Sequence, residues 1–466
     1  MKVCMFVFGD CAPDIRVFKE ARALTGAGHD VRIIGFLSEG TELYEERECF
    51  RIFRVAMDPI HKKVARLLGS PVRLAEKLSG SQGKESVAGP FGADGQSANR
   101  KRTIEKGAGS SKVQQQGSAD ISIPYPLQRT YGRLYRAVVY LTRPLPTTYL
   151  SYLDYYFRSF RLARQEPADA YHAHDLNALP VAWLARRFRG GKVVYDSHEL
   201  WLDRSMLRKR SRLNRFAVKR IESFLIRRTD ANIVAGESGG RELAKRYHIV
   251  MPTLILNAPS YNPVERSDIL RDEIGIPGEH RVILYIGRIT YYRGLEELVQ
   301  SLQYLEHCSL VLMGYAPPDY VGGLKKLIKD EGLIDRVHFF GPVPPEEVVR
   351  YAASADMGVA PIKNAGLSYY YCSPNKVFEC IAAGLPVAGS NFPDLKKVIE
   401  GHNLGVTFDP DSPRDIARAI DYVLSDKARY QEMGRNALEA AKIFNWENES
   451  KKLLALYEGL SGKAND

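Results

Sequence analysis

The sequence predicts an α/β protein with two doubly wound parallel sheets that face each other across a central cleft. Two observations lead to this prediction. Apolar runs of about six residues alternate with stretches of helical periodicity, and the alternation occurs in two series of similar size. The segment Asn257-Ala258-Pro259 marks the junction between the two series. In such sheets ligands bind beyond the carboxyl ends of the strands, so the cleft is the expected functional site.

The first series starts with the strand KVCMFVFG, the helix VFKEARALTGAG and the strand DVRIIGF. Later strands are predicted in ADAYHAHD, KVVYDSHEL and TDANIVAG. Between these two groups, residues 78–120 are rich in Gly, Ser, Gln and Lys and contain almost no apolar side chains. Such a segment cannot bury enough surface to offset the entropy of ordering, so we expect a disordered insertion.

The second series predicts strands in RVILYIG, CSLVLMG, RVHFFG, MGVAPI, LPVAGS and GVTF. Each run is followed by a helical stretch, and NWENESKKLLALYEGL near the end has the pattern of one amphipathic helix. We expect a first domain at residues 1–258 and a second at residues 259–442. A C-terminal helix within residues 443–466 is expected to pack back on the first domain.

The composition is that of a soluble globular protein, since 45% of the 466 residues are hydrophobic and 26% are charged. A net charge of +11 suits nucleic acid, an anionic membrane surface or a phosphorylated substrate, and does not discriminate among them. Six cysteines without C-x-x-C spacing exclude a zinc ribbon and a dense disulfide scaffold, and they indicate a reducing cytoplasm. The apolar runs are too short for a secretory signal or a membrane-spanning helix.

The densest candidate site of the second half is LYIGRITYYRG. A strand ends at Gly287, Arg288 follows at once, and Arg293 opens the next helix. Two guanidinium groups at a strand end and a helix start suit a doubly charged phosphate, which arginine can bind in a bidentate manner. The alternative is that both arginines are solvated surface residues.

A second helix start lies in SYYYCSPNKVFECIAAGLPVAGS. Ser373 is predicted as the N-cap, with Pro374 at the first helical position and Lys376 in the first turn. A cation at that end of a helix is unfavourable unless an anion shares the site. Glu379 lies one turn beyond Asn375, where a carboxylate could accept both hydroxyls of a ribose; the alternative is an ordinary surface glutamate.

In the first half, candidate residues follow three predicted strands on the cleft side. Gly9 and the segment DCAPDIR follow the first strand, where the backbone must admit a ligand. HAHD and YDSHEL follow two later strands, although histidines at strand ends are commonly structural. The candidates on this side of the cleft are Gly9, Asp14, Arg16, His174, Asp175 and Asp196, together with His198.

Two sequence patterns contain potential metal ligands, but neither is interpreted as a metal site. H-x-H-D and D-x-H-E offer ligands, but they lie on two separate strands and their spacing is not diagnostic. The D-x-D sequence from Asp409 to Asp411 follows a strand and leads into SPRDIARAI, which a turn and a helix cap explain better. No metal is therefore expected.

Much of the positive charge lies in residues 204–228, RSMLRKRSRLNRFAVKRIESFLIRR. The apolar residues recur at helical spacing, which predicts a helix packed on its own domain with Lys and Arg outward. Anionic lipid is the favoured partner, because the aromatic and basic stretch 131–164 lies in the same half. A solvated face is the alternative, and nucleic acid is not expected because no known recognition motif accompanies the charge. The apolar set is Leu213, Phe216, Ala217, Ile221, Phe224 and Leu225.

Together these features resemble the family 4 (group 1) glycosyltransferases, which have the two-domain GT-B fold. IGRITYYRG is similar to the family pattern G-R-x-x-x-x-K-G, with Arg293 where lysine is usual. HFFGPVPPEEVVRYAASADMGVAPI, which includes Gly341, matches the strand, helix and strand before the nucleotide loop. SPNKVFECIAAGLPVAGS resembles the P-N-K-x-x-E-x-x-x-x-G-x-P branch. DIRVFKEARAL, YHAHD, VVYDSHEL and TDANIVAGES extend the resemblance over most of the chain.

The resemblance implies transfer of a sugar from a UDP- or GDP-sugar to an acceptor hydroxyl, with retention of the anomeric configuration. The acceptor would be a glycan or a lipid-linked glycan, in cell-surface polysaccharide, lipopolysaccharide or glycolipid synthesis. The protein would work in the cytoplasm, at the inner face of the cytoplasmic membrane, without a cofactor or an essential metal. The alternatives are a nucleotide-sugar epimerase or hydrolase of the same fold, or a non-catalytic binding subunit.

The resemblance also implies roles for individual residues. Arg288, Arg293 and Lys376 would neutralise the charge on the leaving diphosphate. Glu379 would hold the ribose, and His198 would orient a sugar hydroxyl or the leaving oxygen; these two residues with the two arginines form the implied catalytic set. On the acceptor side, Gly9 would let the loop approach the donor. The implied donor-binding residues are Gly287, Arg288, Arg293, Gly341, Ser373, Pro374, Asn375, Lys376 and Glu379.

The sequence departs from the family at one position that concerns the donor sugar. The family commonly has E-x7-E, whose first glutamate touches the sugar, whereas eight residues before Glu379 this chain has Tyr371. Ser373 or Asn375 would then bind the sugar instead, or the site would be impaired.

Overall fold

The computed structural model describes residues 1–11, 14–47, 49–58, 147–204 and 211–462. The predicted insertion at 78–120 lies outside these residues. Two largely parallel sheets with intervening helices confirm the predicted α/β architecture.

The first sheet has eight strands in the order β3-β4-β2-β1-β5-β6-β7-β8, and β3 alone runs antiparallel to its neighbour. Its central strands are buried on both faces, which accounts for their continuous apolar runs. The strands are β1 (Lys2–Val7), β2 (Asp30–Phe36), β3 (Tyr44–Glu46), β4 (Arg51–Val55), β5 (Ala170–His174), β6 (Lys192–Ser197), β7 (Ala231–Val234) and β8 (Thr253–Leu254). The helices are α1 (Ile15–Gly26), α2 (Thr147–Ala163), α3 (Leu179–Arg189), α4 (Arg212–Ile226) and α5 (Glu237–Tyr247), with a 3₁₀ turn at Trp201–Asp203.

The second sheet is entirely parallel, in the order β11-β10-β9-β12-β13-β14. The strand order reverses between β9 and β12, which is the point where such sheets bind ligands. The strands are β9 (Arg281–Ile286), β10 (Cys308–Met313), β11 (Val337–Phe340), β12 (Met357–Ala360), β13 (Val387–Ser390) and β14 (Gly405–Phe408). The helices are α6 (Ile269–Ile274), α7 (Leu295–Ser301), α8 (Pro318–Asp330), α9 (Val348–Ala352), α10 (Leu367–Tyr370), α11 (Asn375–Ala382), α12 (Pro393–Ile399), α13 (Pro413–Leu424), α14 (Lys427–Ala441) and α15 (Trp446–Leu460), with a 3₁₀ turn at Leu302–Tyr304.

The last helix, α15, returns to the first sheet as the sequence predicts. It packs against α1, and Tyr457 is fully buried in the core of that sheet. At the start of α15, Glu449 accepts a hydrogen bond from the amide of Leu256 at 2.8 Å, which ties the helix to the junction between the two halves. The helix therefore covers the first sheet and is anchored at the junction between the two halves.

Helix α4 forms as predicted, but its orientation differs from the prediction. Of the six apolar residues expected to pack inward, Leu225 is buried, whereas Leu213, Phe216, Ala217, Ile221 and Phe224 are exposed. The helix instead turns Glu222 inward, where its carboxylate accepts hydrogen bonds from the hydroxyls of Tyr195 and Tyr247 at 3.3 and 2.6 Å. The buried side of α4 thus consists of the satisfied Glu222 together with Leu225 and Ile226, and of these only Leu225 belongs to the predicted apolar stripe.

In the part of the chain that the structure describes, no helix has the length and apolar character needed to cross a membrane. All six cysteines are free thiols, as their scattered spacing predicts.

Candidate active site

A cleft of about 780 Å³ lies between the two sheets and is lined from both sides. The first sheet contributes Ser197, His198 and Glu199 from the end of β6, and Gly236 from the start of α5. The second half of the chain contributes the residues that follow β9 and the segments around α10 and α11. The sequence-predicted residues that line it are His198, Gly287, Arg288, Arg293, Ser373, Pro374, Asn375, Lys376 and Glu379.

Three cations on the second-sheet wall lack an anionic partner among the described residues: Arg288, Arg293 and Lys376. Arg288 lies over the ring of Tyr315 and Arg293 over that of Tyr369, at 5.6 and 5.8 Å. Neither arginine side chain forms an ion pair within the described part of the chain. The wall therefore presents positive charge that forms no ion pair with any of the described residues.

Lys376 is the most strongly perturbed of these cations. Its side chain is buried, with Nζ 3.5 Å from the centroid of the Tyr285 ring. Burial lowers the pKa of Lys376 well below its ordinary value, and the nearby charge of Arg293 lowers it further, while Glu379 opposes the effect. An anion in the cleft would favour the charged form of this lysine.

The backbone conformation of Gly287 favours glycine at the end of β9. Its φ of 118° is a conformation that favours glycine, and an added Cβ would lie 3.6 Å from Nζ of Lys376. A side chain at this position would therefore strain the backbone, while its Cβ would be in ordinary contact with the lysine.

Helix α11 begins without a side-chain cap, which corrects the prediction for Ser373. The N-cap position falls on Pro374, the helix begins at Asn375, and no side chain accepts a hydrogen bond from its first turn. The amide of Val377 donates to the carbonyl of Pro374 at 3.1 Å. The amides of Asn375 and Lys376 have no partner among the described residues, so they remain available to an anion, and the helix dipole favours negative charge there.

Glu379 lies one turn further along α11 and lines the same cleft. Burial raises the pKa of this carboxyl group, against the opposing effects of Lys376 and Lys19. Lys19, which the sequence analysis did not single out, comes from α1 and donates to the carbonyl of Ala258 at 2.8 Å. No described residue donates a hydrogen bond to the Glu379 carboxylate, which leaves it available to neutral hydroxyls.

A buried network of charges lies behind the first-sheet wall. Arg16 binds Asp196 in a bidentate manner, with Nε and one Nη at 2.8 and 3.0 Å from the two carboxylate oxygens. Its other Nη donates to the carbonyl of Ile255 at 2.8 Å, and Nε lies 3.0 Å from Glu20. Burial raises the pKa of Glu20, and the charge of Asp196 raises it further. In contrast, the pKa of Asp196 is well below its usual range, because the charges of Arg16 and His198 outweigh the effect of burial.

His198 connects this network to the cleft. Its Nε2 lies 3.0 Å from Oδ2 of Asp196 and 3.2 Å from Nδ1 of His174, while its side chain remains 21% exposed. Burial disfavours the charged ring, but the carboxylates of Asp196 and Asp175 outweigh it and raise the pKa of His198 to about 10. At neutral pH His198 is therefore an imidazolium at the cleft wall.

The remaining first-half candidates do not line this cleft, in contrast to the expectation. Arg16, His174 and Asp196 are buried beneath it, as described above. Asp14 caps α1 by accepting from the amide of Val17, and Asp175 accepts from the amide of His198. In the second half, Gly341 is likewise absent from the lining, to which the next two residues contribute. Gly9 is also outside the lining, and its carbonyl accepts from the amide of Phe36.

The four buried residues Glu20, His172, His174 and Asp196 bring potential ligand atoms within 4.8 Å of one another. They do not suit a metal ion, because the guanidinium of Arg16 already contacts both carboxylates and supplies the positive charge. The sequence analysis missed Glu20, although its position one turn after Arg16 places both residues on the same face of α1.

The D-x-D segment is a turn and a helix cap, as predicted. The amide of Asp411 donates to Oδ1 of Asp409 at 3.0 Å, and Ser412 caps α13 by accepting from the amide of Asp415.

Comparisons with known proteins show which family the two halves resemble. The family profile described as "Glycosyl transferases group 1" matches residues 266–440, and "Glycosyltransferase Family 4" matches residues 119–257. A D-inositol 3-phosphate glycosyltransferase from Corynebacterium diphtheriae is 25% identical over 305 residues, which is 62% of this chain and 70% of that protein.

Solved structures share the fold. Sucrose-phosphate synthase from Thermosynechococcus elongatus superposes with a TM-score of 0.70 at 18% identity, covering 100% of both chains. HepE from Anabaena, solved with UDP-glucose, gives a TM-score of 0.63 at 13% identity, covering 98% of this chain and 100% of its own. WaaG, a glycosyltransferase involved in lipopolysaccharide biosynthesis, gives 0.60 at 15% identity, covering 99% and 100%.

Two facing parallel sheets with a cation-lined cleft between them define an enzyme with the GT-B glycosyltransferase fold. The two profile matches together span more than half of the sequence. The chain belongs to the group 1 glycosyltransferases of family 4.

Proposed function

We propose that the protein transfers a sugar from a UDP- or GDP-sugar to an acceptor hydroxyl with retention of configuration. The observation that carries this proposal is the group of three cations without anionic partners, Arg288, Arg293 and Lys376, beside the uncapped start of α11. A nucleoside diphosphate gains negative charge as the sugar leaves, and fixed cations at that point stabilise the transition state. These side chains and the first amides of α11 would take the part that a metal ion has in other transferases.

The remaining lining residues suggest how the rest of the donor is bound. Glu379 would accept the ribose hydroxyls, one turn from the diphosphate. His198, as an imidazolium, would donate to a hydroxyl of the donor sugar or to the leaving oxygen, while Asp196 holds its ring in place. Ser373 and Asn375 border the same space and would contact the donor. Retention follows from the family resemblance.

Two relatives support the donor and the pathway. HepE was solved with UDP-glucose, and WaaG is involved in lipopolysaccharide biosynthesis. By analogy, we propose a glycan or lipid-linked acceptor, in lipopolysaccharide or another cell-surface polysaccharide, on the cytoplasmic face of the membrane.

Release of nucleoside diphosphate tests the transferase proposal. The unfolding temperature in the presence of UDP, GDP or ADP would first show which nucleotide base the protein prefers, because a ligand that binds the folded state stabilises it. We then expect UDP-glucose or GDP-mannose to release the diphosphate in the presence of glycolipid acceptors. Turnover of equal rate without acceptor would indicate an epimerase or hydrolase, and binding without turnover of any donor would indicate a non-catalytic subunit.

Glu379→Gln tests the ribose contact. A hydrogen bond to a charged group contributes about 1.5–3 kcal/mol, so the variant should bind UDP or GDP about 10- to 100-fold more weakly. Wild-type protein should also prefer the nucleotide to its 2′-deoxy analogue, and the variant should lose that preference. Calorimetric titration measures both effects, with the exposed Glu439→Gln as control. An unchanged preference for the 2′-hydroxyl in Glu379→Gln would contradict the assignment.

We further propose that α4 binds an anionic membrane surface. Leu213 and Phe216 are 77% and 61% exposed, and Lys219 and Arg220, about one turn after Phe216, are also exposed. With about 3.6 residues per turn, this apolar stripe lies opposite Glu222, the buried side of the helix. Exposed apolar residues flanked by cations are typical of helices that lie in a membrane interface. Residues 131–146 of the predicted aromatic and basic stretch 131–164 lie outside the described residues.

Co-sedimentation with vesicles measures this interaction. Each cation near an anionic surface contributes about 1 kcal/mol, so Lys219→Glu with Arg220→Glu should weaken binding to phosphatidylglycerol vesicles about tenfold or more. Wild-type binding should fall with salt and be weak on phosphatidylcholine. Lys326→Glu with Lys329→Glu, on the exposed side of α8, is the matched control. Equal losses in both double variants would overturn the role of α4.

A further inference from the structure

Two carboxylates lie among the described residues that line the cleft, and they face it from opposite walls. Glu379 belongs to α11, beside the unpartnered cations. Glu199 belongs to the first half and follows His198 directly after β6. The proposed function gives Glu379 a ligand, the ribose, but gives none to Glu199.

The contacts of Glu199 cross from the first half to the second. Its Oε2 accepts from Oγ of Ser368 at 3.4 Å, and Ser368 lies in α10, which belongs to the second half. The same oxygen lies 3.1 Å from Nε of Arg204, whose guanidinium packs 4.7 Å from the ring of Trp201. Two partners from different elements therefore fix the position of this carboxylate.

The other oxygen of Glu199 remains available. Within the described residues, Oε1 accepts no hydrogen bond, and the side chain is 47% exposed although its neighbours His198 and Leu200 are largely covered. A carboxylate that is held through one oxygen and open at the other is suited to accept hydrogen bonds from ligand hydroxyls.

At the position of the first glutamate of E-x7-E, Tyr371 provides no carboxylate on the cleft wall of the second half. It ends α10, its ring lies 5.3 Å from that of Tyr370, and it packs against the core of the first sheet. Its carbonyl oxygen faces Gly236, where an added Cβ would lie 3.1 Å away. Tyr371 therefore packs between the two halves at the cleft, and the carboxylate of Glu199 lines the same cleft from the opposite wall.

We propose that Glu199 binds the hydroxyls of the donor sugar from the first-half wall. This inference rests on the proposed function. With the diphosphate at the cations and the ribose at Glu379, the sugar at the far end of the diphosphate extends toward the opposite wall. There, His198 donates hydrogen bonds and Glu199 accepts them, so a polyhydroxylated sugar finds both kinds of partner on adjacent residues.

Calorimetry with a nucleotide and its sugar conjugate separates this contact from diphosphate binding. The probes are UDP with UDP-glucose, or GDP with GDP-mannose, whichever pair stabilises wild-type protein. Glu199→Gln should bind the free nucleotide within twofold of wild type and the nucleotide sugar about tenfold or more weakly. Glu199→Asp keeps the charge but shortens the reach, and should show an intermediate loss for the sugar conjugate. Glu439→Gln should change neither affinity.

The outcomes distinguish the inference from the proposed function. Equal losses for the free nucleotide and the sugar conjugate would indicate a general disturbance of the cleft, and no loss for either would also overturn the role of Glu199. A wild-type protein that binds neither probe pair would refute the proposed function itself. Thermal unfolding of each variant shows that it is folded before binding is measured.

Discussion

Replacing Lys376 by methionine is expected to lower kcat with the nucleotide-sugar donor by about 10²- to 10³-fold, the loss typical for one preorganised charge stabiliser. Methionine is also long and unbranched, so it can occupy the buried space over the ring of Tyr285 while removing the charge. Arg288→Ala should reduce turnover by a comparable factor, because its guanidinium lines the same wall. Steady-state release of nucleoside diphosphate measures both variants, with Lys326→Met as the surface control.

The same Lys376→Met variant should be at least as stable as wild type. Folding buries Lys376 without an anionic partner among the described residues, and its pKa falls well below the ordinary value. A lysine whose pKa is lowered by folding opposes folding below its unfolded pKa of about 10.4, and this penalty disappears as the pH rises toward that value. Removing it should therefore stabilise the protein more at pH 7 than at pH 10.

Urea denaturation at the two pH values measures this difference. Activity loss together with a lower unfolding midpoint would show that Lys376 is a structural residue, in contradiction to the prediction. Full activity in the stable variant would refute its place in the diphosphate site.

Asp196→Asn should be the most destabilising conservative change in the buried network. Asp196 receives two hydrogen bonds from Arg16 and one contact from His198, and all of its charge is buried. Breaking such a pair from one side leaves the other charge uncompensated and costs about 3–5 kcal/mol. Asp30→Asn, which removes the exposed partner of Arg51, should cost less than about 1 kcal/mol and serves as control.

The pH dependence of stability provides a second readout for Asp196. The pKa of His198 is about 10 in the folded protein and near 6.5 when unfolded, so its stabilising contribution is complete below about pH 6.5. It is lost as the pH rises toward 10, because the folded state holds the proton more tightly than the unfolded state. Asp196→Asn removes the carboxylate that favours the imidazolium and should flatten this decline.

Denaturation midpoints of wild-type and variant protein between pH 6.5 and 9.5 test this account. An unchanged slope in Asp196→Asn would show that Asp196 does not hold the charge of His198. A stability loss no larger than that of Asp30→Asn would contradict the buried ion pair.

The fold was largely predictable because its signals are local. Each strand from β9 to β14 coincides with an apolar run bounded by polar or glycine residues, and the structure confirms all six. The antiparallel edge strand β3 was not predicted, since its three residues are too few to show a period. Ser373 looked like an N-cap by residue type, yet the cap falls on Pro374, a difference of one residue that local composition does not resolve.

Helix α4 shows where periodicity is insufficient. The apolar stripe predicts that its own residues are buried, but Glu222 is buried instead. Its carboxylate accepts hydrogen bonds from two tyrosine hydroxyls, one from β6 and one from α5. Because these hydroxyls are distant from α4 along the chain, the compensation for burying a carboxylate was not visible in the sequence of the helix.

The sequence alone determined that four residues of the site lie near strand ends or helix starts: Arg288, Lys376, Glu379 and His198. Because strands and helices alternate along the chain, the carboxyl ends of the parallel strands lie at one edge of each sheet, and this edge faces the cleft. The tertiary structure decided which polar residues reach that cleft. Arg16 and Asp196 are 180 residues apart in the sequence and form a buried ion pair, so neither side chain is part of the cleft wall. Glu199 and Ser368 are 169 residues apart and meet across it. Such contacts depend on how the two halves face each other, and the local periodicity of the chain carries no information about that arrangement.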